Sequence, residues 1–156
     1  MRKRIVGQNR KNNSAQTHQW LHIETIAEAE LTSEATEFPI ESALLVDSDS
    51  YWQAAESGEQ SITLVFDEPQ QLECIRLLFQ REQMLTQEFL LCWSADHGKT
   101  YQDIARQQFN FSSPNATEEL EEYHVNLKGV TALKLSIIPD ISGGDAHATL
   151  MQWYIA

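Results

Sequence analysis

Apolar side chains recur at every second position in segment after segment of this chain. Ile62, Leu64 and Phe66 share one face of Ser61–Phe66, and Ile75, Leu77 and Phe79 share one face of Leu72–Phe79. Phe89, Leu91 and Trp93 line one side of Thr86–Ser94. Tyr123, Val125 and Leu127 alternate, as do Leu133, Leu135 and Ile137. Successive side chains of an extended strand point to opposite faces, so a two-residue period predicts strands with one apolar face. Leu21, Ile23 and Thr25 predict a first strand from Trp20. Thr100–Arg106 and Ala148–Ile155 add two more. No long stretch repeats at helical spacing, and Ser42–Val46 predicts at most one helical turn.

Turn residues punctuate these segments. Asp67-Glu68-Pro69 is predicted to break the chain between two strands, Asp96-His97-Gly98 to close a hairpin, and Asp47-Ser48-Asp49-Ser50 to form a loop. About eight short strands with turns between them predict an all-β sandwich or barrel. Gln80–Gln87 and Gln107–Glu122 are the long connections of this scheme, and long loops on a rigid scaffold often carry function.

The length of 156 residues suits one domain with a self-sufficient core. Charge divides the chain unevenly. Five of the 11 Lys and Arg residues fall in the first eleven positions, while all 23 Asp and Glu come later. This predicts a mobile basic arm over 1–17 and one acidic domain over 18–156. An acidic body repels phosphate backbones, so nucleic acid is a poor partner. Cations, basic partners or neutral ligands suit it better. The basic N-terminus lacks an apolar core and does not read as a secretory signal. No run approaches the length needed to span a membrane, so a cytoplasmic location is expected. Cys74 and Cys92 show no metal-binding spacing. They read as reduced thiols on strands, with a bridge open if those strands pair.

Several segments carry a resemblance. From Pro39 to Phe79 the chain has an Ala/Leu-containing turn, the acidic loop, Trp52, a Gly linker, an apolar strand, a Pro turn and a second apolar strand. This resembles the opening of galactose-binding-like discoidin (coagulation factor type C) domains and related carbohydrate-binding modules. Ser94–Tyr101, Ile137–Asp140 and Ala148–Leu150 fit the later hairpin and closing strands of the same group. Trp52–Glu59 also resembles a run in the N-terminal domain of the X-ray repair scaffold protein. The resemblance covers Trp20 to the end. It implies an antiparallel jelly-roll β-sandwich that binds a ligand at loops on one end.

Many such domains hold a structural calcium at the acidic loop, which here makes Asp47 and Asp49 weak candidates. The loop is tighter than in calcium-binding relatives and lacks their Thr. Two carboxylates fall short of the six to eight oxygens calcium takes, so no metal or other cofactor is expected.

The sharpest short motif is Ser94-x-Asp96-x-Gly98-x-Thr100-Tyr101, the Asp-box pattern of sialidase-type propellers. Its chemistry is local: a carboxylate accepts turn N–H groups and Gly98 supplies a positive φ. One copy in this length cannot build a propeller. His18 and His22 have helical metal-ligand spacing but sit where arm and strand are expected. Glu118, Glu119, Glu121 and Glu122 read as a solvated strand edge. No nucleophile elbow, phosphate loop or dinucleotide fingerprint occurs.

Sugar binders stack a ring on an aromatic face and read hydroxyls with planar polar groups. The residues of that kind nearest the expected loops are Tyr51, Arg81, Gln87, Arg106, Gln108 and Asn110. The expectation is a non-catalytic module binding carbohydrate or another small polar ligand. The alternative is a protein-interaction module like that of the repair scaffold.

Overall fold

A computed structural model describes residues 19–156. The arm over 1–17 and His18 lie outside them. The elements are α1 (Ile23–Ile26), β1 (Ala27–Leu31), α2 (Glu41–Leu44), β2 (Trp52–Ser57), β3 (Gln60–Gln80), β4 (Leu85–Ser94), β5 (Gln102–Phe111), β6 (Glu118–Ile138), β7 (His147–Leu150) and β8 (Gln152–Ile155). All pairings are antiparallel, and together they form a jelly-roll β-sandwich.

The two long strands β3 and β6 organise it. Ile62–Val65 of β3 lies against Ala132–Leu135 of β6, with β1 on the other side of β3. Further on, Ile75–Gln80 lies against Glu118–Tyr123, and β8 covers the other edge. The strand order is β1-β3-β6-β4-β5, and β2 pairs with β7 in a separate two-stranded sheet. Each long strand therefore serves different neighbours in its two halves. Register shifts lie between Val65 and Cys74, where the halves meet.

The alternation seen in the sequence is the burial pattern of these strands. Ile62, Leu64, Phe66, Ile75, Leu77 and Phe79 are buried, as are Phe89, Leu91, Leu133, Leu135 and Ile137. They join Trp52 and Trp153 in one core cluster. Trp93 is half-buried and packs against the margin of that cluster.

Four expectations need correction. Asp67-Glu68-Pro69 does not end a strand; it is the exposed middle of β3, where Pro69 has no N–H for the ladder and pairing lapses. Leu21–Thr25 is not a strand either. Leu21 N–H donates to the Ile155 carbonyl at 2.8 Å, and α1 then turns Ile23 into the core before β1 begins. The two long connections shrink to 81–84 and 112–117, because β4, β5 and β6 extend into them. Glu118–Glu122 is not solvated throughout, since Glu119 is buried while Glu118 stays exposed.

Cys74 and Cys92 are buried free thiols. β6 lies between their strands: Cys74 pairs with His124 and Cys92 with Lys134. The Asp-box hairpin forms as its chemistry dictates. Ser94 Oγ donates to Asp96 Oδ1 at 2.6 Å and Thr100 Oγ1 to Asp96 Oδ2 at 2.6 Å, while Gly98 takes φ +84°. These hydroxyls and the Thr100 N–H hold the Asp96 carboxyl well below the usual carboxylate range.

Candidate functional site

Arg81 and Tyr51, 30 residues apart in sequence, line one cavity of about 390 Å³ together with Gln53, Gln80, Gln83 and Thr149. The β-structure brings them there. β2 starts just after Tyr51 and pairs with β7, setting Gln53 opposite Thr149. β3 ends just before Arg81, whose N–H donates to the Thr117 carbonyl at 2.8 Å.

The Arg81 side chain ties these pieces together. Nη1 donates to the His147 carbonyl at 2.7 Å and to Thr149 Oγ1 at 3.1 Å. Nε and Nη2 donate to Gln83 Oε1 at 3.2 and 3.1 Å. A guanidinium has five N–H donors in a fixed fork, so one on Nη2 remains beyond these four bonds. The residue is only 5% exposed, and burial lowers its pKa, with Tyr51 acting in the opposite direction. An arginine stays charged under such a shift. Among the described residues no carboxylate forms an ion pair with it.

Tyr51 is positioned from behind. Its ring stacks on Phe38 with centroids 4.6 Å apart and planes 13° apart. The cavity therefore combines an aromatic held in one orientation, a fixed cation and several amide groups. Glu82 is the one carboxylate residue in its lining.

The remaining expected residues lie elsewhere. Gln87 is fully buried on β4 and donates through Nε2 to Glu119 Oε1 at 3.2 Å, so it faces the core and meets no ligand from solvent. Arg106, Gln108 and Asn110 do converge with Thr86 and Glu88, as cross-strand neighbours of the β4–β5 hairpin. They bond to one another there. Glu88 takes Arg106 Nη1 at 3.4 Å and Gln108 Nε2 at 3.2 Å, and Thr86 Oγ1 donates to Asn110 Oδ1 at 2.7 Å. Arg106 and Glu88 also line a smaller cavity of about 160 Å³. Asp47 takes φ +65°, and its N–H donates to the Tyr154 hydroxyl at 3.2 Å, so the acidic loop is anchored to β8. His22 is exposed beside Glu24.

No family model matches the chain, and no curated protein matches it. Solved structures do. A pectin-binding carbohydrate-binding module is 20% identical over 83% of this chain and 89% of its own, with a TM-score of 0.62. A family 32 module from Clostridium perfringens, in complex with GalNAc-β-1,3-galactose, is 17% identical over 88% of this chain and 99% of its own, with a TM-score of 0.65. The family 32 module of AlyQ, in complex with 4,5-unsaturated mannuronic acid, is 14% identical over 89% and 98%, with a TM-score of 0.64. The chain shares its jelly-roll fold with these modules.

Within this fold, Gln53, Gln80, Glu82, Thr149 and Met151 are the cavity residues that sequence reasoning passed over. Thr149 joins Tyr51 through the β2–β7 pairing, and Met151, just past β7, donates its N–H to the Leu78 carbonyl of β3 at 2.9 Å, so both depend on partners distant in the chain. Their short, polar or flexible side chains carry no local signal. Gln80 and Glu82 flank Arg81 directly, and their proximity to a planar cation was the available clue.

Proposed function

We propose that this chain is a non-catalytic carbohydrate-binding module and that its ligand occupies the Tyr51–Arg81 cavity. The observation that carries the reading is the constellation itself. A buried arginine with one N–H left over sits beside a pre-oriented tyrosine ring and a fan of amides. A sugar presents hydroxyls in a plane and a weakly apolar face, and these groups match both. Seven of the eight lining residues carry a polar side-chain group, which gives a sugar's hydroxyls several partners. Family 32 modules bound to GalNAc-β-1,3-galactose, to galactose and to an unsaturated mannuronic acid share the fold, which supports a sugar as the ligand class.

Two features support a binding rather than a catalytic role. Glycoside hydrolysis generally needs two carboxyl groups flanking the scissile bond, and the cavity lining offers Glu82 alone. The carboxyl with the strongest upward shift, Glu119, is enclosed in the core.

Calorimetric titration with galactose, N-acetylgalactosamine and oligogalacturonate, followed by a glycan array, tests the proposal. The expected result is saturable binding of at least one sugar. Tyr51→Ala and Gln83→Ala should each weaken it at least about tenfold, the scale of one lost stacking or polar contact. Folded protein that binds nothing on the array, or binding indifferent to both substitutions, overturns it.

A further inference from the structure

On the outer face of the sandwich, β3 and β6 place three different metal-binding side chains together. Cys74 and His124 are directly opposite in the antiparallel register, and Glu122 lies two residues from His124 on the same face. The Cys74 thiol, a Glu122 carboxylate oxygen and a His124 ring nitrogen all lie within 4.8 Å of one another. We propose that Cys74, Glu122 and His124 form a binding site for a thiophilic divalent transition metal, zinc being the best fit.

The donor set selects that class. Zinc takes cysteine sulfur, histidine nitrogen and carboxylate oxygen in tetrahedral sites, whereas calcium and magnesium take oxygen alone. Tetrahedral zinc bonds of standard length separate such ligands by roughly 3.3–3.6 Å. Glu122 Oε1 and His124 Nε2 are already 3.7 Å apart. The His124 side chain, 69% exposed, is the ligand nearest solvent. With three protein ligands, water would supply the fourth.

Two surrounding features favour the site. Arg76 donates to Glu122 Oε2 through Nε at 3.0 Å and forms an ion pair through Nη2 at 2.9 Å, which leaves Oε1 facing His124. Fixing a ligating carboxylate through its other oxygen is a common supporting arrangement around metals. The Cys74 sulfur and a Glu122 carboxylate oxygen lie within 4.8 Å of each other, so a cation bound there would contact both. On binding, the Cys74 S–H bond breaks, its proton passes to buffer, and the sulfur electron pair forms the bond to the metal. The acidic body raises the local cation concentration. Cys74 lies six residues along β3 from Gln80, about 20 Å of extended chain, so this site is separate from the sugar cavity and independent of the proposal made for it.

Titration of the full chain with cobalt(II), read by absorption, and with zinc, read by calorimetry and thermal melting, tests the site. One equivalent should bind, with a thiolate-to-cobalt charge-transfer band and about one proton released per metal. His124→Ala should leave the metal-free chain folded and weaken binding at least about tenfold. Cys74→Ser should abolish the band, and Cys92→Ser should leave it intact. Absence of the band in the native chain, or affinity unchanged by His124→Ala, overturns the proposal. If Cys74→Ser fails to fold, the His124→Ala comparison decides alone.

Discussion

Gln87 Nε2 donates to Glu119 Oε1 at 3.2 Å inside the sandwich, joining β4 to the first half of β6. Both residues are buried, at 0% and 2% exposure. Among the described residues, Gln87 Oε1 and Glu119 Oε2 find no hydrogen-bond partner. Burial, then the neighbouring Glu121 carboxylate, pushes the Glu119 pKa up to about 8.

That shift makes stability depend on pH in a defined direction. Between the ordinary glutamate value of 4.5 and about 8, the folded chain keeps a proton that the unfolded chain has released. The contribution is therefore fully present below 4.5 and is lost as pH rises through about 8. Glu119→Gln mimics the protonated form. It should flatten this slope and be more stable than the native chain at about pH 9, with little difference at about pH 4. Urea unfolding across that range measures it, and parallel slopes for the two proteins would refute the assignment.

Gly98 and Gly58 separate backbone strain from crowding. Both have positive φ, +84° and +82°. A Cβ on Gly98 would come within 3.1 Å of the Tyr101 hydroxyl, whereas one on Gly58 meets nothing within 4 Å. Gly58→Ala should cost about 1–2 kcal/mol, the ordinary price of a left-handed L-residue. Gly98→Ala should cost more, because it also displaces the Tyr101 ring that closes the Asp-box hairpin. Chemical denaturation of both variants gives the comparison; equal losses would mean that the ring yields freely.

The thiols should behave as enclosed, separate groups. Cys74 is 0% and Cys92 7% exposed, and burial raises both thiols to about 11. Little thiolate is present near neutrality, so alkylation should wait for unfolding and then modify both. Mass spectrometry of native and urea-treated chain reads this. Rapid labelling of the folded chain would contradict the burial, and a native mass lower by the two hydrogens of a disulfide would contradict the topology.

The expected ligand residues divide along one line. Arg81 and Tyr51 meet because each sits at the end of a strand, where the alternating pattern stops and the side chain projects into a connection. Gln87 was also assigned to a connection. β4 in fact begins at Leu85, so strand parity turns Gln87 inward with Phe89 and Leu91. Arg106, Gln108 and Asn110 share a face, as their spacing implied, but Glu88 and Thr86 on the partner strand satisfy them.

The sequence by itself determined most of the strand segments, the buried faces of the central ones and the Asp-box hairpin. Each follows from local chemistry: side chains alternate with the pleat, and a carboxylate bonds to turn groups a few residues away. Only the tertiary structure decided which strands are neighbours. Partners such as β2 and β7, or the two halves of β3 and β6, lie far apart in the chain, and many pairings bury the same apolar faces. That choice places Arg81 beside Tyr51, encloses Glu119 with Gln87, and sets Cys74 across from His124. The sandwich of the opening pattern is thus confirmed, while its chemistry resides in contacts that no local pattern records.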